Sequence, residues 1–416
     1  MSIHEIPLSK PDITDLEVEL VTTVLRSGRL SIGPAQEQFE KSVSARVGCD
    51  HGVACSSGTA GLHMAMLALG IGPGDEVITS PFSFIASANP ILYVGATPKF
   101  VDICPKTLNM DPERLAAAIT PRTKAIIAVE TFGNPSYMDA YAQIAGRHEI
   151  PMIEDCCEAL GCSLKGRQCG SFGRIGVFGF YPNKQITTGE GGMIVTSDKR
   201  LADMCRSLRS QGRPLPSSPI GTAKAPVAVG MGGAGVGHHS SPPVQTDAGP
   251  GTGSWLLHER LGYNYRLSEI HAALGIAQMR RLDEIIQKRQ NVAGMYMRKL
   301  MGSADIILPN TCADTITSWF VFVVRLANTF TRDDRDRIIA GMRRHEVGAG
   351  DYFPCIHLQP FYRQQFGFGP GDFPIAESIS QRTIALPFHN NLSERDVDIV
   401  CQTLELMISR ENLKRT

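Results

Sequence analysis

The sequence lacks an excess of charge of either sign, because its 41 basic residues balance its 41 acidic ones. It has no basic tract either, so its charge predicts binding neither to nucleic acid nor to an anionic membrane. No run of about 18 apolar residues is present, so no transmembrane helix is predicted. The first twenty residues are polar and acidic, unlike a signal peptide. We therefore expect a cytoplasmic protein.

Paired cysteine motifs are also missing, although the chain contains eleven cysteines. No CxxC pair occurs, and the cluster of Cys156, Cys157, Cys162 and Cys169 lacks the spacing of a zinc site. We therefore predict no metal site. The cysteines are expected to be reduced thiols that mostly fill the core of a cytosolic protein.

Short apolar runs alternate with amphipathic segments through the first 200 residues. The strand-like runs are 52–55, 76–79, 99–101, 125–129, 151–153, 175–180 and 192–196. Such alternation is typical of an α/β domain with a mostly parallel sheet. One long helix is predicted from about Ser268 to Leu300, followed by a strand at 318–326. The change of pattern predicts a large α/β domain at 1–300 and a smaller α+β domain at 301–416.

Residues 212–253 interrupt this pattern, with ten glycines, seven prolines and a single acidic residue. Such a composition cannot bury a core, so a flexible insertion is predicted at 213–253. The pair His238-His239 and the run GMGGAGVG within it lack the flanking strand and helix that would indicate metal or nucleotide binding.

A strand followed by a turn of small residues and then a helix occurs at Ser57, Gly58 and Thr59. Free amides and the helix dipole make such a place suitable for a phosphate. Alternatively, the Ser57 or Thr59 side chain caps its own helix. This stretch alone leaves both interpretations open.

Lys184 lies in a polar loop between the apolar runs 175–180 and 192–196, ahead of the glycine-rich residues 189–192. One interpretation is an ordinary solvated lysine in a hairpin loop. The other is a lysine that forms a Schiff base with pyridoxal 5′-phosphate (PLP), and the rest of the chain decides between them.

The requirements of PLP are met in order along the chain. Its phosphate needs amides and hydroxyls, which residues 57–59 offer, and its ring needs a flat apolar neighbour such as Phe84. A carboxylate keeps the ring nitrogen protonated, and Asp155 lies at a predicted strand end. Lys184 then supplies the amine that attacks the aldehyde and later moves a proton as a base. Together these features predict a PLP enzyme.

Longer motifs carry a resemblance to a known family. They include SSGTAGLHMA at 56–65, EDCCEALG at 154–161, FGFYPNKQITTGEGG at 178–192 and HERLGYNYRLSEIHAALGIAQ at 258–278. In these stretches the chain resembles the DegT/StrS-type aminotransferases, PLP enzymes of fold type I that act on nucleotide-linked keto-sugars. The resemblance runs over nearly the whole chain and is interrupted only at 213–253.

The resemblance implies a role for each matching residue near the cofactor. It makes Lys184 the Schiff-base lysine, Asp155 the partner of the ring nitrogen and Phe84 the aromatic that stacks on the ring. The phosphate turn is formed by Ser57, Gly58 and Thr59. Glu158 stands where many relatives have a glutamine that contacts the ring hydroxyl. Gly179 stands where many carry a serine that helps to hold the phosphate.

The resemblance also implies roles for two further residues. Asn264 matches a residue that relatives contribute to the phosphate site of the neighbouring subunit, which implies a homodimer. His357 is implied either near the sugar-nucleotide site or as a structural histidine.

The implied function is an aminotransferase that carries an amino group from glutamate to a keto carbon of a nucleotide-diphosphate sugar. Its product would serve amino-sugar and polysaccharide synthesis. Alternatives are an aminotransferase acting on a non-sugar cyclic ketone, a dehydratase of the same fold, and a non-catalytic regulator. The dehydratases have a histidine in place of Lys184, and the presence of both Asp155 and Lys184 argues against a regulator.

Overall fold

The computed structural model describes residues 5–214 and 257–414 of the chain. The α-helices of these residues are α1 (Asp15–Ser27), α2 (Pro34–Val47), α3 (Gly58–Ala68), α4 (Asn89–Tyr93), α5 (Pro112–Ala118), α6 (Met138–Arg147), α7 (Lys199–Arg209), α8 (Glu269–Arg280), α9 (Leu282–Leu300), α10 (Arg332–Arg344), α11 (Pro360–Phe366), α12 (Pro374–Ser380) and α13 (Glu394–Leu413). The strands are β1 (His51–Cys55), β2 (Glu76–Thr79), β3 (Thr97–Phe100), β4 (Thr123–Val129), β5 (Met152–Asp155), β6 (Ser163–Leu164), β7 (Arg167–Gln168), β8 (Ile175–Gly179), β9 (Gly192–Thr196), β10 (Ile306–Ile307), β11 (Thr315–Ile316), β12 (Phe322–Leu326) and β13 (Thr383–Leu386).

A seven-stranded sheet forms the centre of the molecule, with the strand order β1-β9-β8-β5-β4-β2-β3. The pairs from β8 to β3 are parallel, whereas β9 is antiparallel to both β8 and β1. All seven strand-like runs of the sequence lie in this sheet, so the predicted mostly parallel sheet is confirmed. Because β9 is reversed, β1 and β8 run in the same direction and end at the same edge.

Helices cover both faces of this sheet, as expected for a sheet whose strands are apolar on both sides. One face packs Val53, Val177 and Ile194 against α3 and α7. The opposite face packs Ile126 and Met152 against α6, while its other strands meet α2 and α8. The sheet is therefore buried, and its carboxyl edge is left for a ligand.

A second, three-stranded sheet with the order β10-β12-β13 organises the C-terminal part of the chain. Its core includes residues of α10 and α13, together with Tyr296 and Leu300 of α9 and Ile6 from the beginning of the chain. The domain boundary after residue 300 stays a prediction, and α9 contributes to the apolar core of the C-terminal part.

The prediction of one helix from Ser268 to Leu300 is wrong, because the helix is interrupted at Arg281. This residue has φ −102° and ψ 4°, and its guanidinium is drawn into ion pairs with Asp12 at 3.1 Å and Glu17 at 3.0 Å. The apolar periodicity continues across the break and so does not reveal it. The predicted insertion at 213–253 lies outside the described residues, apart from its first two positions. Within the described ranges, no helix is long and apolar enough to cross a bilayer.

Candidate active site

A cavity of about 570 Å³ opens at the carboxyl edge of the seven-stranded sheet. Seven of the predicted site residues line it: Ser57, Gly58, Thr59, Phe84, Asp155, Glu158 and Lys184. The topology explains this meeting, because β1, β2, β5 and β8 all end at this edge and the seven residues lie at or after the ends of these strands. Asn264 and His357 do not line this cavity.

The turn after β1 begins helix α3. The Ser57 side chain accepts a hydrogen bond from the Ala60 backbone N–H at 3.1 Å, so the helix-cap interpretation holds for this residue. The turn also lines the cavity, so the capping of α3 by Ser57 is compatible with a phosphate site at the same turn. Glycine is required close by, since a Cβ at Gly192 would lie 2.5 Å from the Ser57 carbonyl oxygen. The backbone of the turn is thus packed from behind, while its amides and hydroxyls are available to an anion.

Asp155 is the last residue of β5 and is almost completely buried. Its Oδ2 accepts a hydrogen bond from the hydroxyl of Ser87 at 2.6 Å, and its Oδ1 accepts one from the Cys157 backbone N–H at 3.3 Å. The Ser87 hydroxyl in turn lies 2.7 Å from that of Ser83. These bonds fix the carboxylate in one orientation at the wall of the cavity, which suits a partner for a protonated ring nitrogen.

Lys184 lies in the loop between β8 and β9, and its side chain is 15% exposed. Its Nζ lies 3.5 Å from Oε1 of Glu158 and 3.9 Å from the centroid of the Phe320 ring. These two contacts hold the amine in the cavity, so that it does not extend into solvent. The interpretation as an ordinary solvated lysine therefore does not describe this residue.

Glu158 is buried beside Lys184, and its Oε2 accepts a hydrogen bond from the Phe132 backbone N–H at 2.8 Å. Burial raises the pKa of Glu158, and the ammonium of Lys184 opposes that rise. A carboxyl with a raised pKa takes up a proton more readily and can then donate a hydrogen bond. A protonated Glu158 can therefore make the contact with the ring hydroxyl that the resemblance implies.

The loop that carries Lys184 is fastened to the C-terminal part of the chain. Nε2 of Gln185 donates to the Glu158 carbonyl oxygen at 2.6 Å and to Oγ of Ser318 at 2.8 Å. Ser318 comes two residues before Phe320, so the aromatic face and the lysine are positioned by the same contact.

Asn264 and His357 are placed differently from the other predicted residues. Asn264 is exposed and pairs through its backbone with Ser210, away from the cavity lining of its own chain. His357 is fully buried, and its Nε2 lies 3.1 Å from Oε1 of Glu377. Burial lowers the pKa of His357. The suggested proximity of His357 to the substrate stays a prediction.

Several residues of the cavity were not predicted from the sequence: Ser83, Ser87, Tyr181, Asn183, Glu190, Phe320, Tyr352 and Phe353. Ser83 and Ser87 flank Phe84 and lie four residues apart, a spacing that could have suggested a shared helical face. Phe320, Tyr352 and Phe353 come from the C-terminal part, and nothing in their local sequence indicates which cavity they join.

A buried acidic pair lies beside the site. Successive residues of a strand face opposite sides, so Glu154 points away from Asp155 and towards Glu130. Burial raises the pKa of both carboxyls, and the charge of Glu154 raises that of Glu130 further. Together with Cys156 they form the one compact group of potential metal ligands among the described residues. Glu154 also accepts hydrogen bonds from the backbone N–H groups of Gly170 and Gly173, which fix its carboxylate in place.

The α/β fold with its mostly parallel central sheet matches solved structures of PLP-dependent aminotransferases, so the predicted fold class, fold type I, is confirmed. Residues 11–405 match the model described as the DegT/DnrJ/EryC1/StrS aminotransferase family. The chain belongs to this family, which confirms the resemblance found in the sequence and the prediction of an aminotransferase.

Two curated relatives are similar over nearly their whole length. The chain is 38% identical to the spore coat polysaccharide biosynthesis protein SpsC of Bacillus subtilis over 403 residues, covering 96% of each chain. It is 35% identical to the GDP-perosamine synthase of Caulobacter vibrioides over 379 residues, covering 91% of each.

Solved structures agree with this assignment. PseC of Helicobacter pylori, an aminotransferase of pseudoaminic acid biosynthesis, superposes with a TM-score of 0.84 at 25% identity, covering 98% of this chain and 100% of that one. A protein of Streptococcus pneumoniae named as a sugar aminotransferase and solved in its PLP form has a TM-score of 0.83 at 26% identity, with 98% and 99% covered. Together with the family membership, this form confirms PLP as the cofactor.

Proposed function

We propose that this protein transfers an amino group from glutamate to a keto carbon of a nucleotide-diphosphate sugar. The observation that carries the proposal is the convergence of Lys184, Asp155 and the 57–59 turn on one cavity. The sugar substrate is supported by relatives named for perosamine, pseudoaminic acid and spore coat polysaccharide. The product would supply amino-sugars for a surface polysaccharide or a glycosylated small molecule.

The residues of the cavity fit PLP, which when bound supplies an electron-accepting ring and an exocyclic carbon that carries the amino nitrogen between the two substrates. The 57–59 turn would hold its phosphate, and Asp155 would keep its ring nitrogen protonated. Phe84, which is 60% exposed, would cover the ring. Glu158 would face the ring hydroxyl.

Lys184 performs the proton transfer in this proposal. Lys184 would hold the cofactor in the absence of an amino substrate, and its Nζ would be free once that substrate is bound. Its freed Nζ then takes a proton from the α-carbon of the donor, and in the second half-reaction returns a proton to the carbon that was the ketone of the sugar. Phe320 and Glu158 keep the amine within the cavity through this exchange.

The active enzyme is proposed to be a homodimer with shared sites. Three features near the cavity support this: the exposed rings of Phe84 and Tyr181, at 60% and 54%, and the exposed Asn264 outside its own cavity. A second copy of the chain would cover the rings and bring its Asn264 to the phosphate. For His357, which is fully buried against Glu377 and does not line the cavity, we propose the structural role that the resemblance gave as the alternative.

We propose a cytoplasmic location for this protein. We also propose two domains, at 1–300 and 301–416, because the pattern of the sequence changes between them. Eleven free cysteines, most of them buried, support a reducing compartment. The proposed nucleotide-sugar substrate is a cytoplasmic metabolite, which agrees with this location.

The test is a screen of nucleotide-linked keto-sugars with glutamate as donor, followed by mass spectrometry. The purified protein should be yellow, and glutamate alone should remove the visible absorption band. An amino-sugar nucleotide should then form from at least one acceptor. If every sugar fails and a cyclic ketone without a nucleotide is aminated, the sugar assignment is wrong. If no amino donor removes the colour, a regulator is favoured over an enzyme.

A further inference from the structure

Cys157 is a thiol in the wall of the cavity for which the proposed reaction has no use. It lies two residues after Asp155 and is half-buried among the cavity residues. Of the cysteines in the described residues, it is the one that lines this cavity.

The sulfur of Cys157 fills the space between two glycines at the phosphate end of the cavity. A Cβ added to Gly179 would lie 3.2 Å from Sγ of Cys157 and 3.4 Å from its Cβ. A Cβ added to Gly58 would lie 2.5 Å from the same sulfur and 3.5 Å from Cα of Gly179. Gly58 belongs to the phosphate turn, so Cys157 and Gly179 pack directly against this turn.

The chemical state of this thiol suits a place next to a phosphate. Burial and the neighbouring Asp155 carboxylate raise the pKa of Cys157 well above the range of a free thiol. The side chain is therefore a neutral S–H group, and it lies 3.7 Å from the carbonyl oxygen of Val177. A neutral thiol packs against the turn without repelling an anion.

We propose that Cys157 is a positioning residue for the cofactor, whose sulfur occupies the space of the side chain that position 179 lacks. The sulfur packs against the 57–59 turn and thereby sets the shape of the phosphate end. Cys157 and Gly179 consequently act as one unit, in which a larger residue at 179 requires a smaller one at 157. This inference rests on the proposed binding of PLP to this cavity.

The test is a double-mutant cycle on PLP affinity, measured by titrating the full-length apoprotein and following absorbance. Gly179→Ser in the parent should weaken PLP binding by about tenfold or more, because overpacking a filled site displaces the turn. In the Cys157→Ala background the same change should cost less than about threefold, since the sulfur is gone. If Gly179→Ser folds poorly, Gly179→Ala, which adds only the Cβ, replaces it in the cycle.

The matched control is Cys49→Ala, which removes another half-buried thiol that does not line the cavity. Cys49→Ala should leave PLP affinity unchanged both in the parent and in the Cys157→Ala protein. The inference is overturned if the effects at 157 and 179 multiply independently, or if Gly179→Ser tightens PLP binding in the parent. A parent protein that binds no PLP would refute the proposed function itself, so the two failures are distinguishable.

Discussion

The hydroxyl of Ser87 lies 2.6 Å from Oδ2 of Asp155, and both groups are buried. The serine comes from the segment after β2, whereas the aspartate ends β5. The carboxylate proposed to hold the ring nitrogen is thus oriented by a residue almost 70 positions earlier in the chain.

Ser87→Ala should weaken PLP binding and lower kcat together, because Asp155 loses one of its two donors. A hydrogen bond to a charged group contributes about 1.5–3 kcal/mol, which corresponds to about tenfold or more. PLP titration and steady-state kinetics measure both quantities. Ser83→Ala is the matched control, since its hydroxyl contacts Ser87 and not Asp155, and its effect should be clearly smaller. Equal effects of the two changes would contradict this role of Ser87.

Lys184→Ala should abolish transamination, with a loss of about 10³-fold or more, because the covalent anchor and the base are removed together. Reduction of the parent with borohydride should add the cofactor mass to the peptide that contains Lys184, as seen by mass spectrometry. Lys165→Ala is the control, because this exposed lysine pairs with Asp139 away from the cavity. Parent-like turnover by Lys184→Ala would refute the proposed mechanism.

Glu130→Gln should stabilise the apoprotein increasingly as the pH rises. Burial and the charge of Glu154 raise the pKa of Glu130 above its ordinary value of 4.5, so the folded protein retains this proton. The stability contributed by Glu130 is therefore full below about pH 4.5 and is lost as the pH rises through the folded-state value, by up to about 1.4 kcal/mol per pH unit. Glutamine does not titrate and avoids this loss.

Urea unfolding of parent and Glu130→Gln between about pH 5 and pH 8 measures the difference. Glu19→Gln, a change at an exposed helix position, should show no such trend. A stability difference between parent and Glu130→Gln that is constant over this range would show that Glu130 titrates normally in the folded protein.

Co-expression of Lys184→Ala with Asn264→Ala should restore activity that neither variant has alone. In a mixed dimer one site receives both defects and the other receives neither, so about one quarter of parental activity is expected for random pairing. Substituting Asn310, another exposed asparagine, should leave activity intact and gives the control. An inactive mixture would place Asn264 outside the neighbouring site.

The sequence predicted those features that depend on local pattern. The seven strands of the main sheet follow from their apolar runs, and Asp155 and the 57–59 turn follow from their positions at strand ends. Glu158 and Lys184 lie in the same cavity as the resemblance implied.

The sequence did not predict features that depend on distant contacts. Phe320 reaches Lys184 from 136 positions away, and its own strand-like surroundings are equally suited to a core residue. The helix breaks at Arg281, which pairs with Asp12 and Glu17 near the N-terminus, and helical periodicity reports neither the break nor the ion pairs. Such contacts form only after the chain has folded.

Among the residues that the structure describes, strand β1 occupies an edge of the main sheet and pairs only with β9. During synthesis, the ribosome must therefore release residues up to Thr196 before His51–Cys55 can take its place beside a partner. The turn that follows β1 is among the earliest segments made, yet the strand that carries it has no partner in the sheet until β9 is made. A nascent chain halted before β9 emerges should consequently be unable to capture the vitamin B6 coenzyme.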